Sequence, residues 1–356
     1  MASYGDVLAV LREFRNDLDA KVQHDINERA SPGVHAFSAR ARGGLSAFST
    51  PNTNVHATGA GIRVRDGVPI PDEFVIKVYV FDKLAPGGDG DLATVFDGID
   101  VDVEPLPVQL ALHTEQDVAA LPNRTRQRPL VGGISIAPLN ESFVGTLGLF
   151  VARSGPGIRQ LYALSNNHVL ADTNALPIGT HIAQPGAETA PIDPEDVFAA
   201  LSNFIPLQFS MHPSSTPVNR FDAAIALVSD PGQVRTGEIL GIDKYTPQVL
   251  AAVPGMRVVK SGRTTGVRHG IVTATRVNGV QVNYGTHTAP LIATFNDTIS
   301  IVGLDGQAFS APGDSGSVIL EESTGRPVAL LFAGDGRTTT ACDFGGVCQQ
   351  FQVQPV

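Results

Sequence analysis

The chain has 356 residues, of which 42% are hydrophobic and 17% charged, a balance that excludes a disordered or low-complexity protein. A net charge of −10 argues against the clustered basic face that nucleic-acid binding requires. No apolar run approaches the ~20 residues of a spanning helix, so no membrane segment is expected.

At the front of the chain, Val7, Leu11, Phe14, Leu18 and Val22 recur at helical spacing and predict one amphipathic helix over residues 4–29. Its apolar stripe either docks on its own domain or makes an oligomer contact. Asp6, Arg12, Glu13, Arg15 and Asp17 interrupt any signal-type apolar region, which points to a cytoplasmic protein. Residues 31–52 follow neither periodicity and read as loop. Then VHATGAGIRVRDG, FVIKVYVFDKL and IDVDVEPL alternate as strands, with Asp66-Gly67 at a hairpin-type turn. Residues 1–122 therefore read as a small α/β or α+β domain, regulatory or oligomerising, with no constellation suited to chemistry. Residues 123–129 read as a linker; Arg124, Arg126 and Arg128 mark a solvated segment or a processing site.

From residue 130 to 356 the texture changes to short β-runs punctuated by Gly, Pro and Asn, such as GISIAPL, DAAIALV and HGIVTATRV. This predicts antiparallel all-β structure, and more than 200 such residues fit two barrels better than one. Cys342 and Cys348 cannot build a disulfide framework; free thiols are expected, with a local bridge as the alternative.

Three stretches within this region carry chemistry. LYALSNNHVL puts His168 where a strand meets a turn, NRFDAAIALV puts Asp222 ahead of an apolar strand, and APGDSGSVIL puts Ser315 between Gly313 and Gly316. Each has an ordinary structural reading: a satisfied histidine, a turn-capping acid, a turn serine. Together they are the types that nucleophilic acyl transfer uses in series, because a serine hydroxyl needs an imidazole to take its proton and the imidazole needs a carboxylate to fix its tautomer. The order His, Asp, Ser is that of chymotrypsin-type enzymes, and differs from the subtilisin and α/β-hydrolase orders.

NNHV, DAAIAL and GDSGSVI resemble the three catalytic blocks of trypsin-like serine proteases, and SNNHV is similar to the HtrA branch. KSGRTTGVRHG at 260–270 is similar to the segment that bacterial chymotrypsin-like enzymes carry between Asp and Ser. The N-terminal G-x-G-I-x-V-R-D-G pattern followed by VIKVYVFDK resembles the leading domain of plant narrow-leaf-type proteases and their bacterial relatives. The resemblance implies a mainly β, chymotrypsin-like fold of two six-stranded antiparallel barrels behind the small N-terminal domain. His168 and Asp222 would come from the first barrel and Ser315 from the second, with substrate in the cleft between. It implies Ser315 as nucleophile, His168 as base and then acid, Asp222 as its orienting carboxylate, and the N–H groups of Gly313 and Ser315 as the oxyanion hole. Asp314 would prop that loop, Phe309 would floor a shallow apolar primary pocket, and Phe332, Ala333 and Gly334 would pair with the substrate backbone.

Several features depart from the family pattern. GDSGS replaces the commoner GDSGG, and the side chain of Ser317 is expected to face outward. Pro129 blocks cleavage after Arg128, so GGISI reads as the first strand of the first barrel and not as an activation terminus. CDFGGVCQQFQVQPV lacks the periodicity of a closing C-terminal helix. The expected function is a regulated serine endopeptidase of narrow range, acting on a protein or peptide through an acyl-enzyme; the alternative is a latent pseudoprotease that keeps the cleft as a peptide-binding module. No cofactor is implied, since phosphate-cradling glycine loops are absent. No metal is expected, because the nine histidines are scattered and none is spaced with Cys or carboxylates as ligands. His269 and His287 read as loop surface of the second barrel.

Overall fold

The computed structural model describes residues 2–29, 55–81, 94–111, 121–153, 160–186, 193–210, 217–286, 288–304 and 306–356, with side chains of the first helix up to residue 20. The loop expected at 31–52, the side chain of Val22 and His287 lie outside the described residues.

The helical spacing at the front forms a helix over Tyr4–Arg29. Val7, Leu11 and Phe14 bury against Ala60, Ile76, Val78, Ile99 and Val101, so the apolar stripe docks on its own sheet. Phe14 meets Phe96 edge to face, with ring centroids 5.2 Å apart. The strands Val55–Arg65 and Val68–Val80 pair antiparallel around Asp66 and Gly67, whose φ angles of 52° and 79° are those of a two-residue hairpin turn. The strand Ile99–Pro105 lies parallel to Val68–Val80. Lys77 is fully buried, and its ammonium is held by Asp102 at 2.7 Å and Glu104 at 2.8 Å.

This sheet continues into the rest of the chain. Val55–Arg65 pairs antiparallel with Gly266–Asn278, bringing Thr58 opposite Asn278 and Gly61 opposite Ala274. A Cβ at Gly61 would lie 2.4 Å from the Thr273 carbonyl oxygen, so only glycine permits this approach. Six strands then close a barrel: Arg257–Gly262, Gly266–Asn278, Thr298–Gly303, Thr338–Asp343, Pro327–Gly334 and Val318–Glu321, each antiparallel to the next and the last to the first. Val258, Val272, Ile299, Ile301, Ile319 and Leu331 fill it.

The other half is a curled sheet running in the order Gln354–Pro355, Leu149–Arg153, Gln160–Ser165, Ala224–Val228, Val197–Phe204, His181–Ala183, Ser135–Pro138, Gly145–Thr146. Its two end strands, Gln354–Pro355 and Gly145–Thr146, do not pair with each other among the described residues, which makes it a half-barrel. The fold is therefore the mainly β double-barrel architecture, with one barrel closed and its partner open. Leu149, Val151, Tyr162 and Leu164 of the half-barrel pack in one core with Val318, Leu330 and Phe332 of the closed one.

GGISI splits at Gly133 into Leu130–Gly132 and Ser135–Pro138. The arginine-bearing segment before it is tied down: Arg126 donates to Asp196 at 2.6 Å, Arg128 to Gln184 at 2.6 Å, and the buried Asn123 to Gly133 O and Ser261 Oγ. His269 lies on the strand Gly266–Asn278, with half its side chain exposed and bonded to Glu322.

One expectation is corrected, because Phe344–Phe351 is a helix. Asp343 caps it, accepting from Gly346 N–H at 2.6 Å, and Phe344, Val347, Cys348 and Phe351 face the core at i, i+3, i+4 and i+7. Gly345 and Gly346 disguise it in the sequence; a Cβ on Gly346 would stand 2.6 Å from the Phe221 ring, so packing demands the poor helix former. Cys342 and Cys348 are free and buried. Among the described residues no helix is long and apolar enough to cross a membrane.

Leu11 is 3% exposed, so Leu11→Ala should weaken the docked helix by about 2 to 4 kcal/mol, read as accelerated amide exchange across residues 4–20. Unchanged exchange would mean that this stripe does not hold the helix in place.

Candidate active site

The residues before His168 build its turn. The strand Gln160–Ser165 ends with Ser165 Oγ donating to Thr146 O at 2.8 Å. Asn166 Nδ2 donates to the Asp222 carbonyl at 2.7 Å, and Asn167 Nδ2 to Ile205 O and Asn174 Oδ1, both at 2.7 Å. Asn174 N–H returns a bond to Asn167 Oδ1 at 3.0 Å. This exchange holds Asp172, Thr173 and Asn174 at φ of 43°, 58° and 78°, a left-handed run that costs on the order of 1 kcal/mol or more per residue. The single helical turn Asn167–Leu170 is thereby fixed between strand and loop.

His168 and Asp222 are both fully buried. Nδ1 of the imidazole lies 2.5 Å from Asp222 Oδ2, and the His168 backbone N–H donates to Oδ1 at 3.2 Å. A carboxylate only accepts, so the proton sits on Nδ1 and Nε2 is the basic nitrogen. Tyr284 donates its hydroxyl to the same Oδ2 at 2.8 Å, with its ring edge-on to the imidazole at 5.7 Å. Burial, and then the charge of Asp222, push the Tyr284 phenol well above its ordinary range, so it remains a donor.

Ser315 sits in a turn organised by its neighbour. Asp314 Oδ1 accepts from Thr264 N–H at 2.9 Å and Thr265 N–H at 3.1 Å; Oδ2 accepts from Lys260 Nζ at 2.8 Å, Thr265 Oγ1 at 2.7 Å and Ala311 N–H at 3.0 Å. Both charged groups are 0% exposed. Burial alone would raise the Asp314 pKa, but the Lys260 charge and the surrounding donors outweigh it and hold the carboxyl below its usual range.

The turn is clamped to the half-barrel. Thr146 N–H donates to Ser315 O at 2.8 Å, and Thr146 Oγ1 to Gly313 O at 2.9 Å. Gly316, at φ 94°, has no room for a side chain: a Cβ would lie 2.1 Å from Ser165 Oγ and 2.2 Å from Thr146 O. Ser315 is thus fastened to the strand end that leads, three residues on, into His168. Ser315 Oγ is buried with no hydrogen-bond partner among the described residues, so it makes no bond to the imidazole here. The Gly313 and Ser315 N–H groups likewise donate to nothing among those residues.

Ser317 corrects an expectation. It is fully buried, and its Oγ donates to Asp314 O at 2.6 Å, because the polypeptide folds back there and offers an acceptor inside the turn. Phe309 is 1% exposed and packs among Val258, Val272 and Ile319 in the closed barrel. Phe332, Ala333 and Gly334 are buried on the strand Pro327–Gly334, and the Phe332 ring is tilted against Phe295, with centroids 4.6 Å apart. Sequence reasoning missed the roles of Tyr284 and Thr146 and the pairing of Lys260 with Asp314, although Lys260 and Asp314 each lay in a stretch singled out beforehand. Among the described residues no cluster of three His, Cys, Asp or Glu side chains could hold a metal.

A closed barrel and a half-barrel, with a His–Asp pair on one and a glycine-flanked serine turn on the other, define a chymotrypsin-like fold. The family model of the Nal1 C-terminal domain matches residues 189–342, less than half of the chain and within the barrels, not over the N-terminal strands that carry the narrow-leaf-type resemblance. Similar solved structures include Thermobifida fusca protease A (16% identity, TM-score 0.43, 64% of this chain and 97% of that one) and Cellulomonas bogoriensis chymotrypsin (19%, 0.41, 64% and 97%). Nocardiopsis protease is similar at 16% identity and a TM-score of 0.42, covering 63% and 97%. At these TM-scores they are likenesses only, and the fold rests on the strand order. No curated protein matches the chain.

Lys260→Met would leave Asp314 buried without its cation and should cost about 3 to 5 kcal/mol in urea unfolding at pH 7. Because the folded pKa of Asp314 is lowered, its contribution is present above the ordinary unfolded value of about 3.9 and is lost as pH falls through the lowered folded value. Asp314→Asn should therefore lose stability less steeply than wild type below about pH 4, as an acid titration of unfolding would show.

Proposed function

We propose that this protein is a serine endopeptidase acting through Ser315, His168 and Asp222. The observation that carries the reading is the buried His168 Nδ1 to Asp222 Oδ2 bond at 2.5 Å, doubled by the His168 backbone N–H. A histidine held this way in one tautomer is a base awaiting a proton donor, and a buried serine on the facing turn supplies one. Ser315 Oγ attacks the peptide carbonyl carbon as its proton passes to His168 Nε2. The oxyanion that forms takes the free N–H groups of Gly313 and Ser315, each worth roughly 3 kcal/mol in the barrier. Collapse breaks the C–N bond, the amine leaves with the proton from His168, and water repeats the sequence to release the acyl group. Asp222 stabilises the imidazolium, and the Tyr284 hydroxyl, bonded to the same Oδ2, helps hold the carboxylate in place.

The substrate class is protein or peptide, with no cofactor. Two buried free thiols fit a reducing, cytoplasmic setting. Residues 1–122 serve regulation. A second reading, a latent cleft that only binds peptide, is favoured by the missing Ser315–His168 bond, although such bonds often form only with substrate in place.

Labelling by a fluorophosphonate should occur in wild type and vanish in Ser315→Ala and His168→Ala. Asp222→Asn should slow it about 10⁴-fold, and Tyr284→Phe about 10- to 100-fold through loss of a bond to a charged acceptor. Labelling that persists in Ser315→Ala would sink the proposal; none in wild type would favour the latent reading.

A further inference from the structure

The proposed cleft is covered by the chain itself. Ser315 is 1% exposed and His168 fully buried, although a substrate carbonyl must reach Ser315 Oγ. Leu331 N–H donates to Ser317 O, and Gly316 N–H to Leu331 O, both at 3.0 Å, so the strand Pro327–Gly334 passes beside Ser315. Residues 332–334 run on beyond the pairing with Val318–Glu321, whose last register is set at Leu330 and earlier. Their far side is taken by Thr338–Asp343. The near side is the backbone edge along which an extended peptide would lie to present a carbonyl to Ser315. At Gly334 that edge is occupied, since Gly334 pairs antiparallel with Leu110.

The occupant is delivered by the N-terminal sheet. Leu106 N–H donates to Val80 O at 2.8 Å, and Leu106 O is bonded to His56 Nε2 at 2.8 Å. Gln109 is fully buried, and its Nε2 donates to Asp335 Oδ2 at 3.1 Å. On its other side the segment runs parallel to Val280–Asn283, and Ala111 N–H donates to Asn283 O at 3.1 Å. Leu110 is 48% exposed, so the edge is covered by main chain with the side chain directed out, as in strand addition.

We propose that residues 107–111 are an internal pseudosubstrate strand that blocks the substrate edge at Gly334 and must withdraw before an extended peptide can bind. This rests on the protease reading above and names its regulation. Withdrawal breaks the Gln109–Asp335 bond and the pairings to Gly334 and Asn283, while Leu106 remains anchored on the N-terminal sheet.

The test compares two reagents on wild type, Gln109→Ala and Leu110→Pro, with thermal melts to check that each variant is folded. Diisopropyl fluorophosphate needs only an activated serine; a tetrapeptidyl diphenyl phosphonate also needs the strand edge. The ratio of peptidyl to small-reagent rates should rise about tenfold in both variants, the effect of removing one or two of the hydrogen bonds that hold the strand, a side-chain bond in Gln109→Ala and a backbone one in Leu110→Pro. An unchanged ratio in both folded variants would overturn the proposal. If the small reagent labels none of the proteins, the protease reading fails instead, and the edge is judged by anisotropy of fluorescein-tagged Pro-Val-Gln-Leu-Ala. Binding to the variants and not to wild type would then support the pseudosubstrate strand; no binding to the variants would overturn it.

Discussion

The two halves of the molecule are brought into register where Gly316 has no space for a β-carbon. Ser165 Oγ and Thr146 O stand where that carbon would be, so the serine turn is pressed onto the half-barrel at backbone contact distance. Thr146 then binds Ser315 O and Gly313 O, one on either side of Asp314. Thr146 and Ser165 are also bonded to each other, and Ser165 opens the run of polar residues that sets the imidazole. One tight approach therefore fixes two groups that belong to separate sheets. A geometry required to within about half an ångström is supplied by main chain, which has no rotamers to lose.

The Asp314–Lys260 pair acts on the same turn from the opposite side. A buried ion pair is weak evidence for stability, because desolvation consumes most of what attraction returns. Its five donors give it another role: with both carboxylate oxygens saturated, Asp314 holds Ala311, Thr264 and Thr265 at fixed positions around the serine. Ser317 adds a bond inside the turn where glycine would add none, so this variant of the motif gains an internal brace.

The first helix, the Asp66-Gly67 hairpin and the all-β texture were legible because each rests on local periodicity or turn chemistry. His168 and Asp222 were legible because short polar motifs interrupt apolar strands. What stayed hidden depends on contacts between distant segments. Tyr284 lies on a strand end with nothing to mark it, and only the fold brings it 62 positions back in the chain to Asp222. The neighbours of Phe309 in the closed barrel, Val258, Val272 and Ile319, lie on other strands and were equally out of sight. The last helix was concealed by two adjacent glycines, of which Gly346 is needed for packing against Phe221.

The strand Gly266–Asn278 links regions that the sequence reads as separate. At one end, Gly266 O is bonded to the ammonium of Lys260, and Thr265 just before it binds Asp314. At the other end, Thr275 and Asn278 pair with the N-terminal strand Val55–Arg65. Thirteen residues at ~3.3 Å each make a connecting rod of about 40 Å from the serine's socket to the sheet under the first helix. Its irregularities in pairing with Thr298–Gly303, between Val272 and Ala274 and again before Val277, are the joints at which such a rod can bend without its end letters slipping to the wrong face. One continuous length of backbone thus runs from the sheet under the first helix to the cage of Asp314.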